Sequence, residues 1–293
     1  MILGMLLFYA LYSSKAPAVV QNFPSIAEII VVLILLFAAL FTTNFIAKKN
    51  ALSKESAYTV LFYLLIIAAF PSVFNNLKLL CAQFFILLAT RRLISLHTMK
   101  SSKEKLFDAS LWVFVASLFY FWSILFIVLV YISILFHVAR DYRAWFLPLL
   151  AFVTVALLYF FCAYMWNPLW IDSIPQQAQY STALNFNASK PADVIFLSYV
   201  AGSVLATLAL MITLTNRPLL LHSSFKKVIS AVVIGLCVYG FAPIKSNELL
   251  VFTATPMAII FTSHIEAMTG KWQKEFLLFA LLIGSVTAFV FQL

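Results

Sequence analysis

Charge is scarce in this sequence. Lys, Arg, Asp and Glu make up 10% of the 293 residues, where soluble domains carry about a quarter. With 64% hydrophobic residues, a chain in water has too little polar surface to cover itself, which excludes an ordinary soluble fold. Cysteine is nearly absent. Cys81, Cys162 and Cys237 are odd in number and sit in or beside apolar runs, so they read as small packing residues rather than a disulfide framework or a metal centre. With 6 glycines there is no Gly-rich phosphate loop, and no Ser-His-Asp grouping stands out. Acids are outnumbered, giving a net charge of +9. The cations sit at the ends of apolar segments rather than on one face, which points to membrane topology and anionic lipid, and away from nucleic acid.

What is present is a succession of apolar runs, many long enough to cross a bilayer at about 20 residues each. The stretch Arg91 to Lys105 fixes their orientation. It carries Arg91, Arg92, Lys100, Lys103 and Lys105 between two apolar segments, and such a loop stays on the cytoplasmic side. Ile2 to Tyr12 lacks a basic leader region and reads as a short first span entering from inside, followed by the polar loop Ser13 to Ala27. Glu28 to Ala47 is a clear span ending at Lys48, Lys49 and Lys54. Tyr58 to Pro71 and Leu77 to Thr90 flank SVFNNLK, a helical hairpin. Phe107 to Ala139 has basic flanks at both ends and therefore needs an even number of crossings, with a turn near Phe119 to Trp122. Trp145 to Ala163 crosses outward to the polar stretch Tyr164 to Ala192. Asp193 to Thr215 returns, and a second basic patch (Arg217, Lys226, Lys227) follows it. Val228 to Phe241 and Leu249 to His264 flank the turn APIKSNE, and Phe276 to Leu293 crosses last.

The expected fold is an all-α polytopic transmembrane bundle of eleven spans, N terminus inside and C terminus outside, forming one integral membrane domain over residues 1–293. In it, every Lys and Arg of the 19 except Lys15, Lys78, Lys190 and Lys245 falls on the inner side.

Two outer turns look alike. Phe70-Pro71 to Asn76 and Phe241 to Asn247 align at a constant offset, with Leu79 on Leu250, as in the internal repeats of transporters. The same face gathers Asn75, Asn76, Lys78, Asp172, Lys190, Asp193, Lys245, Asn247 and Glu248. Most of these read equally well as solvated loop. Glu248 opens a span with Lys245 within reach; a carboxylate there caps a helix, and an ionisable group entering a membrane is otherwise paired and functional. Glu28 invites the same two readings. Glu266 with His264 reads as a local interfacial pair. His97, His137, His222 and His264 lack the i, i+4 spacing of a helical metal site, so neither metal nor cofactor is expected.

The segment NNLKLLCAQFFILLATRRLISL, then LFDASLWVFVASLFYFWSILFIVLVYI and RDYRAWFLPLLAF, is similar to a family of polytopic inner-membrane proteins of unknown function from Bacteroidota. In that family an Arg-Arg-Leu element precedes an Asp-Ala hairpin, and an Arg-x-Trp segment opens the next span; SNELLVFTATPMAII resembles a second shared element. The resemblance covers the chain from about Lys54 onward. It implies a multi-pass protein of the bacterial inner membrane with a role in the cell envelope. Such sequences often carry the automatic label of β-carotene oxygenase, which implies several His ligands to iron; the His spacing here departs from that.

Three functions are weighed. The first is binding or moving a lipid or lipid-linked glycan at the outer leaflet, through Glu248, Asn247, Lys245, Asn75, Asn76, Lys78, Asp172 and Asp193. The second is a non-catalytic subunit whose partner is another membrane protein. The third is a polyprenyl-sugar-dependent glycosyltransferase, against which the loop Ser13 to Ala27 offers no Asp or Glu.

Overall fold

The computed structural model describes residues 26–54, 56–98, 100–167, 169–183 and 190–292, and for Asp172 the helix position but not the side chain. The first span expected at Ile2 to Tyr12 and nearly all of the loop Ser13 to Ala27, with Lys15 in it, lie outside the described residues.

Helices account for the regular structure of the described residues, in the order α1 (Ile26–Lys49), α2 (Tyr58–Ala68), α3 (Leu77–Ile94), α4 (Ser102–Phe119), α5 (Ile127–His137), α6 (Tyr142–Trp166), α7 (Leu169–Gln177), α8 (Pro191–Thr213), α9 (Leu219–Phe241), α10 (Val251–Ala267) and α11 (Lys271–Gln292). Short 3-10 segments lead into three of them: Pro71–Asn75 before α3, Phe121–Phe126 before α5 and Asn247–Leu250 before α10. In each case an extended or bridging residue, Phe70, Tyr120 or Ser246, stands immediately before the 3-10 segment, where the chain turns back. The break at Tyr120 falls within the turn expected from the length and basic flanks of Phe107 to Ala139.

Helix α10 is the centre of the bundle. Its stretch from Asn247 is 83% buried, against 61% for α3 and 56% for α9, while α6, α8 and α11 bury about a fifth or less of theirs. The outer helices show Phe146, Leu157, Leu205, Ile212, Phe276 and Ile283 on their exposed sides, the composition that hydrocarbon surroundings select. Within the apolar packing between helices, polar side chains add ties, which count where lipid removes the hydrophobic drive to associate. Thr43 and Thr255 hydroxyls meet at 3.1 Å to tie α1 to α10, and Tyr199 Oη lies 2.8 Å from Thr253 Oγ1 to tie α8 to α10. Gly235 lets α9 lie close to α10. A Cβ there would stand 2.7 Å from Thr253 Cγ2, and the backbone of Phe252 and Thr253 lies just behind. Gly235→Leu is therefore expected to cost about 1–3 kcal/mol or more through overpacking, read as a lower unfolding midpoint in detergent. An unchanged midpoint would show that the two helices do not approach this closely.

Among the described residues, seven helices are long and apolar enough to cross a membrane: α1, α3, α6, α8, α9, α10 with its 3-10 lead, and α11. This is a membrane protein. The count of eleven does not follow from helix length. Helix α2 has 11 residues, about 16 Å at 1.5 Å per residue, against a hydrocarbon core of about 30 Å. Helix α5 has 11 as well, and α4 opens with Ser-Lys-Glu-Lys.

The loops sort into two faces. On one, Arg92 pairs with Asp108 at 3.1 Å and Lys103 with Asp141 at 2.7 Å; the Lys103 ammonium holds the Asp141 carboxyl below the usual carboxylate range. There too Lys54 N–H donates to Glu266 Oε2 at 2.7 Å and Arg217 to Ser263 O at 3.3 Å. Glu266 is thus taken by Lys54 and Ser56, and His264 instead meets Ala206 O. The other face gathers the three hairpin turns with the start of α8 and the end of α11.

Helix α9 begins at Leu219, so Lys226 and Lys227 lie inside it rather than in a loop. Lys227 is 1% exposed and donates to Leu93 O, in the last turn of α3, at 2.6 Å.

Candidate functional site

The site is built where two of the turns touch. Asn76 is the N-cap of α3, its Oδ1 accepting from Leu79 N–H at 3.1 Å, a role for which a short amide is well suited. That leaves its amide nitrogen free to donate to Glu248 Oε1 at 3.1 Å. Ser246 Oγ donates to the same oxygen at 3.0 Å. Glu248 stands in the 3-10 segment that leads into α10, where a carboxylate meets the positive end of the helix dipole. The two turns that align in sequence also touch, with Asn76 bonding to the residue after Asn247.

Asn247 itself joins a third element: its side-chain amide donates to Ala192 O at the start of α8, at 2.8 Å. Asp193 follows in the first turn of that helix and lies near the Tyr239 ring, which stacks on Phe196 at 4.3 Å. The third hairpin turn closes the group. Trp122 stacks on Phe241 at 5.5 Å and donates to Gln179 O at 3.0 Å, and Tyr120 packs on Phe252. Burial raises the Tyr120 phenol above its usual range, and the nearby Glu248 carboxylate adds to this.

Lys245 does not reach Glu248. Its ammonium donates to Ser181 O at 2.6 Å, to Tyr239 O at 3.0 Å and to Gly240 O. Two of these are the orphan carbonyls that end α9, so a cation at the negative end of the helix dipole explains the choice. Burial pulls the Lys245 ammonium below the usual lysine range. Asn75 and Lys78 are exposed on the same face. Asp172 falls on α7, a short helix within the polar stretch expected as a loop. Glu28 is exposed in the first turn of α1.

An apolar cavity of about 190 Å³ opens among these helices, reaching from Ile195, two residues after Asp193, to Phe261 deep in α10. Phe70, Ile195, Tyr199, Gly202, Phe261 and Ser285 are among the residues lining it, from α2, α8, α10 and α11. Ala280 and Gly284 at its edge are exposed. A dry void of about 150 Å³ accepts a benzene-sized molecule, so this one has room for a segment of hydrocarbon chain. A second apolar cavity of about 330 Å³, lined by Phe114, Phe121, Phe152, Tyr159 and Gln177, lies between α4, α6 and α7.

Ser246, Tyr120 and the cavity were not singled out from the sequence. Ser246 had a signal, standing two residues before Glu248 in a turn; a cavity among apolar helices has none. Among the described residues no three His, Cys, Asp or Glu side chains come together as metal ligands. Each of the four His rings instead meets a backbone carbonyl: Ile94, Ser133, Arg217 and Ala206 for His97, His137, His222 and His264.

No curated protein and no solved structure matches the chain. A family model does, over residues 2–293. The chain belongs to that family, described as a family of unknown function (DUF6427).

Proposed function

We propose that this protein binds, and moves within the membrane, a lipid with a hydroxyl-rich head such as a lipid-linked glycan. The head meets Glu248, Asn76, Asn247 and Asp193, and part of the chain enters the cavity beneath them. The observation that carries this reading is the cavity itself, an apolar space whose Phe70 and Ile195 adjoin the segments that hold the amides and carboxylates. That order, polar above apolar, matches a lipid's own. Glu248 selects for the head. A carboxylate accepts from hydroxyls and repels a phosphate, so sugar or glycerol hydroxyls suit it, while the exposed Lys78 and Lys190 suit a phosphate further out. The orientation belongs to the same proposal. The basic face is cytoplasmic by the positive-inside rule, the polar-turn face is the outer one, and the hairpins α2–α3 and α4–α5 complete a path of eleven crossings in the bacterial inner membrane.

The test is native mass spectrometry of the protein purified gently from its own membrane. The expected result is a reproducible lipid adduct that Glu248→Ala weakens at least about tenfold, the order expected when a site loses a charge-assisted hydrogen bond. A specific protein adduct without lipid would contradict the proposal and support a subunit of a membrane complex.

A further inference from the structure

The basic face holds a second feature, far from the polar turns. A groove of about 700 Å³ opens between α1 and α3, lined by Phe41, Asn44, Phe45, Lys48, Lys49 and Arg91. Its cations converge on one ring. Lys49 Nζ lies 4.9 Å and the Arg91 guanidinium 4.7 Å from the Phe45 centroid. The negative end of α1 accounts for Lys48 and Lys49, but Arg91 comes from another helix, and bringing it beside them costs repulsion. No carboxylate offsets that cost among the described residues, where the ion pairs are Arg92 with Asp108 and Lys103 with Asp141. Asn44 lines the same groove, one turn before Lys48, and its Oδ1 is buried without a hydrogen-bond partner among the described residues.

The groove continues an apolar stripe. Ile30, Ile34, Phe41 and Phe45 are 51%, 60%, 58% and 40% exposed. With Lys48 they fall within about 60° of one another around a helix of 3.6 residues per turn. A strip of hydrocarbon-facing side chains therefore runs the length of α1 and ends in three positive charges.

We propose that this groove binds one anionic glycerophospholipid. Its phosphate diester sits among Lys48, Lys49 and Arg91, an acyl chain runs along Phe45 and Phe41 toward Ile34, and Asn44 stands at the depth of the glycerol, where its amide nitrogen can donate to an ester oxygen. A zwitterionic lipid fits less well, because its own cation would join three others.

The full chain in neutral detergent, titrated by native mass spectrometry with phosphatidylglycerol and with phosphatidylcholine of the same acyl chains, tests this. The wild type is expected to prefer phosphatidylglycerol about tenfold, the order set by a few cations facing an anionic lipid. K48Q/K49Q/R91Q brings the ratio near one, and K48Q or R91Q alone reduces it about threefold. K100Q/K226Q, which removes two cations elsewhere on this face, leaves it unchanged. The single variants keep the experiment decisive should the triple variant not fold. Equal binding of the two lipids, or a preference that survives all three groove variants, overturns the proposal. So does equally tight binding of glycerophosphoglycerol, the headgroup without chains, since a free phosphodiester would then be the ligand.

Discussion

Gly202→Leu is expected to raise the stability of the lipid-free protein while abolishing its lipid adduct. Gly202 lies in the interior of α8 and lines the cavity below the polar turns, and a Cβ built there meets no atom within 4 Å. Replacing a helix-interior glycine by a good helix former is worth about 0.5–1 kcal/mol. Filling part of an apolar void adds to this. Both effects favour the folded state, so the midpoint in lipid-free detergent rises. The same side chain occupies space that the proposed ligand needs, so the adduct is lost. Opposite signs in the two measurements separate a binding cavity from a packing defect. A variant that is more stable and still carries the lipid would show that the ligand does not enter here.

Lys227→Glu is expected to prevent stable folding, and Lys227→Met to be tolerated. Lys227 is 1% exposed and directs its ammonium at Leu93 O, 2.6 Å away, at the negative end of α3. A buried carboxylate in that place would face a carbonyl with no proton to share, and an unpaired buried charge costs about 3–5 kcal/mol. Methionine keeps the length and apolar stem. It loses the bond to Leu93 O, worth about 1–3 kcal/mol when the partner stays buried, but also removes the burden of a desolvated ammonium. Expression and unfolding midpoints of the two variants check the order. Equal behaviour of Glu and Met would mean that Lys227 reaches water.

Lys227 also marks where the sequence ceases to be informative. A lysine beside Lys226 and Arg217 near the start of an apolar run has the pattern of a loop, and only the approach of α3 makes it a buried cap. Lys245 is similar. Its distance along the chain from Glu248 suggested a pair, but the end of α9 offers the ammonium carbonyls that sequence spacing does not reveal. Turns were more legible, because their chemistry is local. Pro71 and Asn76 mark the first hairpin, and Ser246 to Glu248 mark its counterpart. That these two turns touch, through Asn76 and Glu248, does not follow from their alignment and emerges only in the assembled bundle. The sorting of cations to one face was legible as well, since it depends on the order of charges and apolar runs. Which side of an outer helix faces lipid and which faces a cavity was not. In α8 both sides are apolar, so that helix carries little amphipathic signal, and the space beside Gly202 emerges only when four helices are assembled.

The central claim is that a lipid chain enters the cavity bounded by α2, α8, α10 and α11. Its most direct test is photolabelling with a lipid that carries a diazirine in its chain, followed by mass spectrometry of the labelled peptides. The account predicts label on Pro191–Thr213 and Lys271–Gln292, concentrated near Gly202 and Gly284 and reduced by Glu248→Ala. Label concentrated instead around Phe152 and Tyr159, beneath Asp172, would place the lipid in the larger cavity against α6 and α7 and contradict it.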